Sequence, residues 1–219
     1  MATRRLPASE RRRLILLAAI RVFARSGFHG STTKEIAAEA EVAEALLYRY
    51  FPSKQALFLE AMSISAQRLI SAIEEIFTRN ERSPAGAITE LLAVYRTMVE
   101  RHADFAKMVF VISAELDDPQ VRDAYLPFQE RGLQVIERAV RRWQDAGLLS
   151  RQVPGRAAAW LLMGCFQVVA LMKHTGKLGE LHIEPAMGLV EAFMQQGVDT
   201  QRAELEELAA SAADAGAQQ

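Results

Sequence analysis

Residues 32–54 read TTKEIAAEAEVAEALLYRYFPSK. This stretch constrains the fold more than any other, because it joins two short helical patterns by a connection with room only for a tight turn. Thr32 and Glu35 have the spacing at which a threonine hydroxyl accepts from a backbone N–H while the carboxylate reaches back to the threonine's own N–H. Ile36, Ala37 and Ala40 then recur on one face, so a first short helix is expected to end near Ala40. After Glu41, Val42 and Ala43, a second pattern of Leu46, Leu47, Tyr48, Tyr50 and Phe51 stops at Pro52, which disfavours helical angles in the residue before it. Ser53 is placed to cap the next helix. Small side chains at Ala37, Ala40, Ala43 and Ala45 let the two helices cross closely and steeply, with Leu47 and Phe51 assigned to the core.

Upstream, Ile15, Ala18, Ala19, Val22 and Phe23 form one helical face, and Gly27 is the expected C-cap. A longer helix therefore precedes the pair, and the three together outline a helix-turn-helix, whose second helix enters the major groove of DNA while the first crosses the backbone. In RLILLAAIRVFARSGF, TTKEIAAEA and LLYRYFPSK the chain resembles the DNA-binding domain of TetR-family transcriptional regulators, from about Arg11 to Phe51. The rest resembles that family only in length and all-helical pattern.

The resemblance implies an all-α fold: an N-terminal three-helix domain with the helix-turn-helix, then a larger helical domain for ligand binding and dimerisation. Residues 1–53 would form the DNA-binding domain with its basic arm, 54–200 the larger domain, and 201–219 a disordered tail of alanine and small polar residues. Carried over residue by residue, Thr32, Thr33 and Lys34 would meet the DNA backbone, and Tyr48, Tyr50 and Lys54 would hold phosphates. Glu44, Ala45, Leu46 and Arg49 would face base edges, and Arg4 and Arg5 would enter the minor groove. The chain departs from the family pattern at Glu41, where glycine is usual, at Ala43, where serine or threonine is usual, and at Glu44, where lysine or another polar residue is common. A non-glycine residue at positive φ, where the turn requires it, costs on the order of 1 kcal/mol, the missing helix cap typically ~1 kcal/mol, and Glu44 places an acid near phosphate.

Charge divides in the same way. Residues 1–56 carry ten Lys/Arg and five acids, net +5, so the remainder carries −6 of the whole-chain −1. A basic head on an acidic body favours phosphate contact at one end.

The single cysteine, Cys165, excludes an internal disulfide and any CxxC metal site. With no signal peptide apparent, a cytoplasmic location is expected. Ala157–Met172 is the longest apolar run, shorter than the roughly 20 residues of a membrane span, so no membrane association is expected. A helix apolar nearly all round needs cover on several sides, and a subunit interface would supply it. With a second apolar pattern at Ile183, Met187, Val190 and Met194, it suggests a four-helix seam between two copies, over about 154–175 and 183–197. Trp160, Cys165, Val168, Met172, Met187, Val190 and Met194 are the candidate interface residues.

Between head and seam the pattern is helical, over Lys54–Arg79, Ala85–Arg101, Phe105–Leu116 and Gln120–Ala146. Its aromatic and methionine residues are normal core, and the family resemblance adds the reading of a cavity for a small apolar effector. Tyr95, Met98, Phe105, Met108, Phe128, Met163 and Gln167 are the candidates to line it. Gln167 is singled out as an amide in an apolar run that needs a partner.

Enzyme signatures such as GxSxG, HExxH, GxxxxGK[ST] and GxGxxG are absent, and the histidines are scattered. No catalysis, cofactor or metal is expected. The reading is a homodimeric, ligand-responsive regulator, most simply a repressor, that binds a palindromic operator in double-stranded DNA. The alternative is a ligand- or protein-binding helical dimer whose head has lost DNA affinity.

Overall fold

Every apolar residue named on the first helical face is buried: Ile15, Ala18, Ala19, Val22 and Phe23 lie fully inside. The computed structural model describes residues 7–180. Over these the chain is helical, with α1 Ala8–Gly30, α2 Thr33–Glu39, α3 Glu44–Tyr50, α4 Lys54–Arg79, α5 Pro84–Arg101, α6 Ala103–Ala114, α7 Pro119–Asp145 and α8 Gly155–His174, then a short 3₁₀ turn at Leu178–Glu180. The expected helices recur with ends shifted by a residue or two. Arg4, Arg5, Met187, Val190 and Met194, the second seam helix and the proposed tail lie outside the described residues.

The punctuation works as the sequence suggests. Gly27 breaks α1 with φ 72° and ψ 178°, a backbone region essentially reserved for glycine. A Cβ there would meet no atom within 4 Å, so substitution costs backbone strain alone. Gly27→Ala is expected to lower stability by roughly 1–3 kcal/mol in urea unfolding; no change in the midpoint would mean that the backbone relaxes freely. Pro127 stands inside α7 without ending it, although its ring removes one intrahelical hydrogen bond.

The chain forms two compact units, Met1–Ser71 with Arg96–Arg131, and Ala72–Tyr95 with Gly132–Gln219. In the first, α1, α2 and α3 share one core with Leu57, Phe58, Ala61 and Met62 of α4, and that core also takes in Met108 and Ile112 of α6 and Val121 of α7. Phe23 and Phe28 both meet Phe58, at centroid distances of 5.2 and 4.9 Å. The head is thus not closed by its own three helices. Gln55 donates to Asp118 at 3.1 Å, while the same carboxylate accepts from the backbone N–H of Gln120 at 2.7 Å to start α7. These bonds, Gln55's foremost, hold the Asp118 carboxyl below its ordinary value.

In the second unit Trp143 packs edge-on against Phe77 and donates to the Asn80 carbonyl at 3.3 Å. Tyr95 is buried edge-on against Phe166 of α8, and desolvation pushes its hydroxyl well above the ordinary tyrosine value. Helix α8 buries Ala159, Phe166, Val169 and Ala170. Its opposite side exposes Trp160 (48%), Leu161 (72%), Val168 (57%) and Leu171 (54%). Among the described residues the helix is covered on one side only, which leaves an apolar side open as the interface expectation requires. One expectation changes here: Gln167 lies on the exposed side, outside the core. By length and composition α4 and α8 both pass as membrane-crossing helices, but α4 spends its apolar residues in the cores of the two units.

Candidate nucleic-acid interface

The capping box predicted at the start of α2 is complete. Thr32 accepts from the Glu35 N–H at 3.1 Å, and the Glu35 carboxylate accepts from the Thr32 N–H at 2.8 Å. The Thr32 backbone and hydroxyl, in that order, hold the Glu35 carboxyl below its ordinary value. The box is therefore at full strength above the ordinary value, and is lost as the pH falls through the lowered one.

Helix α2 ends on a turn in which Val42 N–H donates to the Ala37 carbonyl at 2.9 Å and Glu41 takes φ 55°. This is the left-handed position that glycine usually fills after a helix. Glu41→Gly is expected to stabilise the head by roughly 1 kcal/mol, read as a higher urea midpoint, and an unchanged or lower midpoint would contradict the strain. Ala43 opens α3 without a side-chain cap, as its residue type requires.

Ala45, Tyr48 and Arg49 form the exposed face of α3, with Leu46 and Tyr50 half-buried beside it and Leu47 buried behind. Arginine and tyrosine on that face are residue types able to donate to bases or phosphates, and alanine is small enough to let a base edge approach. Lys34 is exposed nearby on α2. Two hydroxyls on this side are already engaged: Thr33 donates to Glu44 at 2.6 Å, and Tyr48 lies 3.1 Å from the same Thr33 oxygen.

Much of the head's positive charge is also engaged internally. Arg12 pairs with Glu60 and covers the Phe51 ring at 4.9 Å. Arg21 donates to Glu39 at 2.7 Å, with Arg25 3.7 Å from its other oxygen, and Arg21 foremost holds the Glu39 carboxyl below its ordinary value. Lys54 modifies the expectation most. Its ammonium donates to the carbonyls of Phe28 and Ser31 at 2.8 and 3.0 Å and sits 4.5 Å from the centre of the Phe28 ring. Two of its three N–H bonds thus brace the stretch from Phe28 to Ser31 that leads into α2. Nothing in the sequence marks these partners, because the pairs lie far apart along the chain.

The candidate effector residues separate. Met98, Phe105, Met108 and Phe128 belong to the first unit, and Tyr95, Met163 and Gln167 to the second. Met108 is fully buried in the core shared with the head, Phe105 lies under the Arg68 guanidinium at 4.7 Å, and Gln167 faces outward. Of the seam residues on α8, Trp160 and Val168 are exposed, and Cys165 and Met172 are half-buried on the same face. Burial pushes the Cys165 thiol above its ordinary value.

Comparison with known proteins agrees with this geometry. Residues 15–61 match the family model described as bacterial regulatory proteins, tetR family. Over 186 residues, 85% of the chain and 53% of the relative, it is 27% identical to YuxN, an uncharacterized HTH-type transcriptional regulator of Bacillus subtilis. Over 119 residues, 53% of the chain and 52% of the relative, it is 30% identical to the HTH-type transcriptional activator FasR of Mycolicibacterium smegmatis. The chain thus spans about half the length of the curated relatives it matches. The solved structure of Salmonella enterica GusR superposes with a TM-score of 0.71 at 20% identity, covering 87% of this chain and 98% of that one, a likeness of fold. Residues 15–61 thus carry the N-terminal helix-turn-helix region of the tetR family of bacterial regulatory proteins, on a helical fold like that of GusR.

Proposed function

We propose that this chain acts as a cytoplasmic homodimeric regulator that binds a palindromic operator and releases it when a small, mainly apolar effector binds. The observation that carries the reading is the shared core of the first unit. Met108 and Ile112 of α6 and Val121 of α7 pack in one cluster with α1, α2 and α3, so a ligand that displaces the middle helices also displaces the head. Such coupling needs an effector that prefers one of the two arrangements. Thr32, Thr33, Lys34, Tyr48, Tyr50 and Lys54 would position the head on phosphates, as would Arg4 and Arg5 in the arm. Ala45, Leu46 and Arg49 would face base edges. The outward face of α8 would join two copies, setting two heads about 34 Å apart, one helical turn of DNA.

The second reading, a helical dimer with weak DNA affinity, draws on Arg12, Arg21, Arg25 and Lys54, all occupied within the chain. Gel shifts on the chain's own upstream region across a salt series separate the two. A DNA reader loses affinity with a logarithmic slope of about −0.9 per phosphate neutralised. A slope near zero, or no shift at low salt, would favour the second reading. A thermal-shift screen of apolar small molecules, followed by gel shift with each stabilising compound, tests the effector.

A further inference from the structure

We propose that Glu44 is a positioning residue that holds the Thr33 and Tyr48 hydroxyls away from DNA phosphates, so that binding requires this latch to open. The inference rests on the reading of α2 and α3 as a DNA interface, and its geometry is local to them. The Thr33 hydroxyl lies 2.6 Å from Glu44 Oε1, within the short range of an O–H donated to a carboxylate. A carboxylate only accepts, so the single Thr33 proton points to Glu44. The 3.1 Å contact between Thr33 and Tyr48 must then be donated by Tyr48. The chain of donation runs from Tyr48 to Thr33 to Glu44 and uses both hydroxyl protons.

The consequence for DNA follows from proton inventory. Phosphate oxygens are acceptors, so a hydroxyl contacts them only by donating. Neither Thr33 nor Tyr48 has a proton to spare while Glu44 holds the chain. Glu44 therefore opposes phosphate contact both through its charge and by occupying the two nearest neutral donors. Arg49 and Lys34, exposed on the same pair of helices, carry no such restraint, so cationic contacts form first and the hydroxyl contacts follow when the latch opens.

Affinity for sonicated mixed-sequence duplex DNA at low salt is the appropriate measurement, since phosphate contacts are sequence-independent. Glu44→Ala removes both charge and acceptor and is expected to tighten binding about tenfold, the worth of one charge-assisted hydrogen bond. Glu44→Gln removes the charge but keeps an acceptor for Thr33, and is expected to gain less. The decisive readout is the Tyr48→Phe substitution in two backgrounds. It should weaken binding less than about twofold in the natural sequence, and roughly fivefold to tenfold in Glu44→Ala.

Thr33→Val breaks the chain at its centre and should unmask the same Tyr48 contribution, which keeps the test decisive if Glu44→Ala fails to fold. Equal gains for Glu44→Ala and Glu44→Gln, with Tyr48→Phe costing the same in every background, would leave only charge repulsion and overturn the latch. Absence of salt-sensitive binding in all variants would overturn the DNA reading, and the latch with it.

Discussion

Phe58→Ala is expected to destabilise the first unit by about 3–5 kcal/mol, the usual cost of deleting a fully buried aromatic side chain. Phe58 has no exposed surface, and its ring meets Phe23 edge-on and Phe28 at a tilt. Phe28 is the residue whose carbonyl and ring receive Lys54. The void left by alanine therefore removes packing on α1 and loosens the brace that fixes the segment leading into α2. Domains of this kind hold only roughly 5–15 kcal/mol in all, so the loss takes a large share of the total. Urea unfolding followed by circular dichroism would show it as a lower midpoint, with DNA affinity falling as the head opens. Phe58→Leu, which keeps most of the volume, is expected to cost less than about 1.5 kcal/mol. A change below 1 kcal/mol for the alanine variant, against the expected value, would show that the three rings do not organise the head.

The second large effect concerns the outward side of α8. Trp160, Leu161, Val168 and Leu171 are all apolar and all exposed, and their spacing gathers them on one face of the helix. A face of this kind, left open on a single chain, marks an interaction site, and the proposed occupant is the same face of a second copy. Leu161→Asp sets a carboxylate on that face, at its most exposed residue. Burying an unpaired charge costs several kcal/mol, so dimer affinity should fall by at least about a hundredfold, while the monomer, where the position is open to water, keeps its helix content. Sedimentation should find a dimer for the natural sequence and a monomer for the variant at micromolar concentration. A variant that remains dimeric would place the interface elsewhere.

Local chemistry was the legible part of this chain. Thr32 and Glu35 announce a cap because both partners lie within one turn, Pro52 ends α3, and Gly27 takes the angles only glycine tolerates. The cost at Glu41 was also readable, since the turn's demand for positive φ is set by its length and the residue type is plain. What sequence could not carry was the identity of distant partners. Arg12 finds Glu60, and Lys54 turns back to Phe28 and Ser31, so counting charges in the head overstates what is free to meet phosphate. Helix α6 enters the head's core through Met108 and Ile112; periodicity shows that a face is apolar but not which helix covers it. Along Ala157–Met172 the nearly unbroken apolar run hid the orientation, which is why Gln167, expected inside, lies outside.

The central claim is that two heads of this chain read one twofold DNA site. Selection of binding sequences from a random duplex pool, with the purified full chain at moderate salt, tests it most directly. The account predicts enrichment of an inverted repeat whose half-site centres lie about one helical turn apart, with the enriched site lost for Leu161→Asp. Failure to enrich any sequence, or enrichment of a single unrepeated half-site that Leu161→Asp binds equally well, would contradict it.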